Sequence, residues 1–148
     1  MYRFFLLALP LLAVACRGPS IPVELPIILL TQGQHSQQTE QRFEWITEAH
    51  AFVALWQGAH SESPPEVDFE YDGVVAVYMG EQPTGAHRIK IERVTHHDDA
   101  LRVEVVLQTP SPDCMTTQVL TQPYQTVLVP QAAPRAVFST RAVIIPCH

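Results

Sequence analysis

The stretch VVAVYM, residues 74–79, is apolar at every position, and the fold assignment depends on it. A strand with one face in water alternates apolar and polar residues, so an uninterrupted apolar run of this length predicts a strand that is buried on both faces. A strand buried on both faces lies in the interior of a sheet. Residues 74–79 are therefore expected to form a central strand.

The residues that follow, GEQPTG (80–85), combine turn formers and lead into a second strand. Pro83 presets its own φ, and Gly85 can adopt the left-handed conformation that closes a hairpin with a bulge. Residues 87–91 alternate in polarity as a strand does, and the alternation slips near Glu92 to Val94, which predicts a bulge. GEQPTG is thus predicted to be the exposed tip of a hairpin.

Other segments predict one helix and further strands. The apolar residues of 47–58 recur at helical spacing, and Thr47 is the expected N-cap. Strands are predicted for PIILLTQ (26–32, buried), for the residues around 42–45, and for ALRVEVVLQ (100–108), MTTQVLTQPYQTVLV (115–129, interrupted by Pro123) and AVFSTRAVII (136–145). Short connections argue against parallel crossovers. The predicted fold class is α+β, with a mainly antiparallel β-sheet and one packed helix.

The N-terminus has the features of an export signal. The uncharged residues 4–15 follow Arg3 and are too few to span a bilayer. Cys16 follows small residues in an arrangement that resembles the lipobox of bacterial lipoproteins, whose cysteine is acylated; an ordinary signal peptide cut after Ala15 is the alternative. The predicted organisation is a signal peptide (1–15), a lipidated cysteine with its tether (16–24) and a single β-rich domain (25–148). Because Arg17 follows the cysteine, we expect export to the outer membrane of a diderm bacterium.

Composition restricts the partners and the redox state. The formal net charge is -6 and Lys90 is the one lysine, so a nucleic-acid partner is not expected. Once Cys16 is assigned to lipid, Cys114 and Cys147 remain as an even pair in an oxidising compartment, which predicts a disulfide between them. The alternative, a nucleophilic Cys114, lacks an identifiable base.

No spacing in the chain specifies a catalytic, cofactor or metal site. A phosphate cradle in GEQPTG would need several backbone N–H groups at a helix start, but a strand follows and Pro83 has no N–H. A nucleophilic Thr84 would need a positioned base. The HHDD sequence (96–99) is typical of a solvated turn, and no His-x-x-x-His or Cys-x-x-Cys pair supports zinc. We therefore expect no enzyme activity, no cofactor and no metal.

The order of these elements resembles the PrcB C-terminal domain family, named for a subunit of a surface protease complex. The likeness runs from about Ile27 to Phe138. Its most specific parts are the apolar strand with the following Gly-x-x-Pro-Thr-Gly, and the later Gln118 and TQPY (121–124). The family pattern often has Pro-Thr-Gly-Gly-Tyr, where this chain has Ala86 and His87 as the last two residues. The resemblance implies a single PrcB-like domain without catalytic residues.

The resemblance further implies a noncatalytic envelope lipoprotein domain that binds and supports a secreted or surface protease as a complex subunit, and that reaches the membrane through its N-terminal lipid. The candidate partner-binding residues are Gln82, Pro83, Thr84, Gly85, His87, Gln122, Pro123 and Tyr124. One alternative is a free-standing inhibitor that inserts the GEQPTG hairpin loop into an enzyme cleft, by analogy with inhibitors that resemble chagasin. The plainest alternative is a hairpin that only connects two strands.

Overall fold

The computed structural model describes residues 20–147, which form eight strands and one helix. The predicted signal peptide, the predicted lipidation site Cys16 and the first residues of the predicted tether lie outside this range. In chain order the elements are β1 (Val23–Glu24), β2 (Ile28–Gly33), β3 (Arg42–Ile46), α1 (Ala49–Ala59), β4 (Asp72–Tyr78), β5 (Arg88–His97), β6 (Ala100–Pro110), β7 (Tyr124–Pro130) and β8 (Arg135–Ile145).

These elements form three layers. An outer sheet has the strand order β1-β5-β6-β8, and a middle sheet has the order β2-β7-β4-β3. One hydrophobic core lies between the two sheets, and a second lies between the middle sheet and α1. The α+β prediction is confirmed, although the sheet that was predicted as one is two.

Strand β4 is buried on both faces and is an interior strand of the middle sheet, as its apolar run predicts. Val75 and Val77 belong to the core between the sheets, whereas Val74, Ala76 and Tyr78 belong to the core beneath the helix. All five side chains have no exposed surface. The two packed layers explain why residues 74–77 of this strand are all apolar.

Helix α1 buries the face that its spacing predicts, namely Phe52, Leu55, Trp56 and Ala59. The predicted N-cap is wrong by one residue, because Glu48 is the N-cap and makes no side-chain capping bond. Thr47 instead continues the connection from β3, where its carbonyl oxygen accepts a hydrogen bond of 3.2 Å from the side-chain amide of Gln131. Thr47 is thus tied to the segment that follows β7 and lies just outside the helix.

The predicted hairpin between β4 and β5 is wrong. β4 is already flanked by β3 and β7, both antiparallel to it, so it has no free edge for β5. The chain instead crosses from the middle sheet to the outer sheet, where β5 pairs with β6. The predicted bulge is confirmed by a register shift between Ile91 and Arg93.

The expectation of no parallel pairing is also wrong, because β8 runs parallel to β6 along its whole length. The strand between them in sequence, β7, lies in the middle sheet. The chain therefore leaves the outer sheet and re-enters it in the same direction. Crossing between sheets provides the long connection that a parallel pair requires.

Three predictions about the strands differ from the structure, two in where a strand lies and one in how far it is buried. Residues 115–120 form no strand, and the predicted strand begins only at β7. β2 is an edge strand with exposed apolar residues, Ile28 and Leu29, so it is not buried as predicted. The last two residues of the predicted tether form β1, which pairs with Thr95 and His96 of β5. No helix in the described range is long and apolar enough to cross a membrane.

Candidate functional site

Two loops that are distant in sequence are joined side by side at one end of the molecule. We call residues 80–87 and 115–123 the paired loops. Gln82 and Thr121 exchange two backbone hydrogen bonds, of 2.7 and 3.0 Å, and the Gly85 N–H donates to the Thr117 carbonyl at 2.9 Å. Thr121 Oγ1 also donates to the Thr84 carbonyl at 3.0 Å. The structure thereby brings together the two segments, GEQPTG and TQPY, whose residues were predicted as one contact face.

A third segment, the connection between β2 and β3, supports the paired loops from one side. The Gln122 N–H donates to the Gln34 carbonyl at 2.7 Å, and the Glu81 N–H donates to the Thr39 carbonyl at 2.9 Å. Gly80 has a φ of +82°, and a Cβ there would lie 2.9 Å from the Gln41 nitrogen. Glycine is therefore required where the paired loops meet this connection.

The left-handed residue of the GEQPTG turn is not the predicted one. Ala86 has a φ of 68°, whereas Gly85 does not have a positive φ. A Cβ on Gly85 would collide with the Thr117 hydroxyl oxygen, so a larger residue there would require the exposed Thr117 side chain to turn. The prediction failed because it assumed a hairpin, and a loop that crosses between sheets has other backbone requirements.

The eight predicted contact residues divide into surface and support. Pro83 is exposed, and the residues Gln82, Thr84, Gln122 and Tyr124 are half-buried. The three buried residues are Gly85, His87 and Pro123. Those three were predicted to meet a partner, and the structure instead places them beneath the loop surface.

His87 supports the loop from below. Its Nδ1 lies 3.1 Å from the Thr84 carbonyl oxygen and donates to it. The same nitrogen is 3.4 Å from Thr84 Oγ1. Because His87 Nδ1 carries the proton that it donates to the Thr84 carbonyl, it cannot accept the proton of the Thr84 hydroxyl. In this arrangement Thr84 and His87 do not act as nucleophile and base.

Three exposed apolar side chains in the second of the paired loops were not singled out from the sequence. Val119 and Leu120 lie between the two points where the second loop bonds to the first, and Met115 precedes them. The interpretation of 115–129 as one strand hid them, because a strand would have accounted for their apolar character. Together with Pro83 they make the surface of the paired loops partly apolar.

Tyr124 joins the paired loops to an aromatic cluster under the helix. Its ring meets His60 edge-on at 4.5 Å between centroids and stacks with Tyr78 at 6.0 Å, and His60 stacks on Trp56 at 4.1 Å. Burial lowers the pKa of His60, an effect that Glu62 partly offsets. Burial also raises the pKa of Tyr78 to about 12, with a further contribution from Tyr124. The cluster fixes the start of β7 and hence the end of the second loop.

Cys114 and Cys147 stand at disulfide-bonding distance beside the second loop, with their Cα atoms 5.2 Å apart. The Ser111 N–H donates to the Ile145 carbonyl at 2.9 Å just before this bridge. The pairing that was predicted from cysteine count therefore fastens the end of β8 to the base of the paired loops. Within residues 20–147, no group of three or more His, Cys, Asp or Glu residues is placed to hold a metal ion.

Comparison with known proteins agrees with the resemblance that the sequence predicts. Residues 74–130 match the PrcB C-terminal family, a narrower range than the predicted likeness. The matched range begins in β4, ends in β7 and contains both paired loops. No curated protein and no solved structure matches the chain. The segment that carries the candidate site, residues 74–130, is thus similar to the PrcB C-terminal family.

Proposed function

We propose that this protein is a noncatalytic envelope lipoprotein, anchored through an acylated Cys16, whose PrcB-like domain binds a secreted or surface protease as a complex subunit. The family match supports association with a protease complex. The lipobox-like residues before Cys16 and the basic Arg17 after it support an anchor in the outer membrane. The contact face in this proposal is the surface of the paired loops.

The observation that carries the proposal is the reciprocal bonding of the paired loops. Gln82 and Thr121 hold the two loops in one conformation before any partner arrives. A preorganised surface loses less conformational entropy on binding than two independent loops would. The exposed Pro83, Val119 and Leu120 give that surface the apolar content found at the centre of protein interfaces.

The test is a pull-down from native envelope extract with the domain lacking its lipid, followed by mass spectrometry. The informative variant is the double replacement Val119→Ser and Leu120→Ser, whose side chains are 55% and 56% exposed. The matched control is Leu29→Ser with Val137→Ser, because both of these side chains are 52% exposed and lie outside the paired loops. Replacement of Gly85 is avoided, since a Cβ there would displace the Thr117 side chain within the paired loops.

We expect the native domain and the control to retain the same protease, and the Val119/Leu120 variant to retain about tenfold less, as for loss of an interface hot spot. Equal retention by the variant and the control would remove the paired loops as the contact face. Peptidase activity of the recovered complex separates the two modes of binding. A subunit leaves or raises that activity, whereas an inhibitor lowers it in proportion to its concentration.

A further inference from the structure

A concave surface lies beside β5 and is lined by residues of both the outer and the middle sheet. This cleft has a volume of about 640 Å³, within the usual range of ligand sites. Four glutamines line it, Gln32, Gln34, Gln108 and Gln125, together with residues 88–90 of β5. We call it the glutamine cleft. Its lining is mostly polar, unlike the two hydrophobic cores.

One wall of the glutamine cleft is a strand edge that has no strand partner among residues 20–147. β5 pairs with β6 on one side, but on its other side β1 and the following Leu25 cover only Val94 to His96. The Ile91 N–H points away from β6 and donates to Gln125 Oε1 at 2.7 Å. In a strand, the backbone N–H and carbonyl groups of residues two apart point to the same side. The Ile89 N–H and carbonyl therefore also point away from β6, into the cleft.

The side chains around this edge offer further hydrogen-bonding groups. The Gln125 amide, which receives the Ile91 N–H, donates in turn to Gln32 Oε1 at 3.1 Å. Gln34 Oε1 is buried and has no hydrogen-bond partner among residues 20–147. Buried acceptors are nearly always satisfied in folded proteins, so the Gln34 amide would gain a hydrogen bond if its side chain turned toward a donor in the cleft.

The charge beside the edge is positive, although the chain as a whole is acidic. Arg88 and Lys90 are exposed and flank Ile89, which is buried. Neither makes an ion pair with any described residue, whereas Arg93 on the same strand pairs with Glu24 and Glu104. A strand added to this edge would place alternate side chains next to Arg88 and Lys90.

We propose that the glutamine cleft binds an extended peptide, which adds a strand to the free edge of β5 at Arg88–Lys90 and sets an acidic side chain beside those two cations. Main-chain groups at Ile89 supply pairing that does not depend on sequence, and the cations supply the preference for acid. The inference stands apart from the protease proposal, because it rests on the β5 edge and not on the paired loops.

The first experiment measures retention of degenerate pools of short, end-capped peptides on the immobilised domain. One pool has glutamate fixed at its centre, a second has glutamine there, and a third repeats the glutamate pool with alternate backbone nitrogens methylated. We expect the glutamate pool to be retained about two- to fivefold more than the glutamine pool, as for a rim ion pair. Methylation should abolish retention, because it removes the donors that strand addition requires.

Variants locate the site. Arg88→Gln should reduce the preference for glutamate, because only Lys90 then remains beside the acidic side chain. Arg102→Gln should keep the preference, because Arg102 is likewise exposed on the outer sheet but pairs with Thr95 at the opposite end of β5. Amide hydrogen exchange followed by NMR should show the Ile89 N–H becoming protected when the glutamate pool is added. Equal retention of the first two pools, retention of the methylated pool, or unchanged exchange at Ile89 would each overturn the proposal.

Discussion

Ala86 occupies a backbone conformation that suits glycine. Its φ is 68°, and the other non-glycine residue with positive φ between 20 and 147 is Asp98. The left-handed region costs an L-residue roughly 1–2 kcal/mol, and part of the relief on substitution by glycine is offset by the greater freedom of the unfolded chain. We predict that Ala86→Gly raises the free energy of unfolding by up to about 1 kcal/mol, measured by urea denaturation.

The control for this substitution is Ala51→Gly, at an exposed position inside α1. Glycine there should lower the free energy of unfolding by roughly 1 kcal/mol. Alanine suits the helical conformation already, so glycine relieves no strain and only increases the conformational freedom of the unfolded chain. The two changes are chemically identical and should have opposite signs. If Ala86→Gly destabilises the domain as much as Ala51→Gly does, the left-handed conformation of Ala86 is wrong.

Among the elements, β8 depends most on a covalent constraint. It pairs with β6 alone, and its C-terminal end is held by the bridge between Cys114 and Cys147. Closing a loop of 33 residues contributes on the order of 3–4 kcal/mol in the chain-entropy account. We predict that Cys114→Ser with Cys147→Ser lowers the free energy of unfolding by about that amount.

Amide exchange tells this loss apart from a general loosening. In the serine variant the amides near Ile144 should exchange much faster than in the native protein, whereas those of Val75 in β4 should change only with global stability. A thiol assay on the unfolded, unreduced native domain should detect neither Cys114 nor Cys147. Two reactive thiols in that assay would contradict the bridge.

What the sequence reveals about these elements is the burial of each face, and what it does not reveal is the partner of each strand. The apolar run 74–79 predicts a central strand because burial on both faces excludes polar residues. The alternation of β5 and the bulge near Glu92 follow from the same reasoning. That alternation is equally compatible with pairing to β4 or to β6, so the hairpin error could not be detected from it. Likewise, the pattern of β8 is the same for parallel and antiparallel pairing.

Across the whole molecule, the chain enters and leaves the domain at opposite ends of the outer sheet. β1 pairs near Thr95 and His96, and the Ser20 hydroxyl donates to Asp98 at the turn that follows. The paired loops lie before Arg88, at the other end of β5, and at about 3.4 Å per residue the stretch from Arg88 to Thr95 spans roughly 25 Å. Cys147 is bonded to Cys114 beside those loops. An N-terminal lipid would therefore hold the domain with its candidate contact face turned away from the membrane.

This geometry makes a prediction that needs no knowledge of the partner. The domain is attached to lipid vesicles through a polyhistidine tag placed before residue 20 or, in a second version, after residue 148. A fluorophore is carried on Pro83→Cys in the paired loops or on Arg102→Cys, which is paired with Thr95 at the opposite end of β5. A quencher confined to the bilayer then reports which label lies nearer the membrane.

With the N-terminal tag, the label at residue 102 should be quenched more strongly than the label at residue 83, and the C-terminal tag should reverse that order. The reversal is the decisive comparison, because differences between the two label environments are the same in both versions. If both tags give the same order, the ends of the domain are not set apart as β1 and the Cys114–Cys147 bridge indicate. An anchor at Cys16 would then give the paired loops no preferred exposure to proteins outside the membrane, and the proposed contact face would lose its geometric basis.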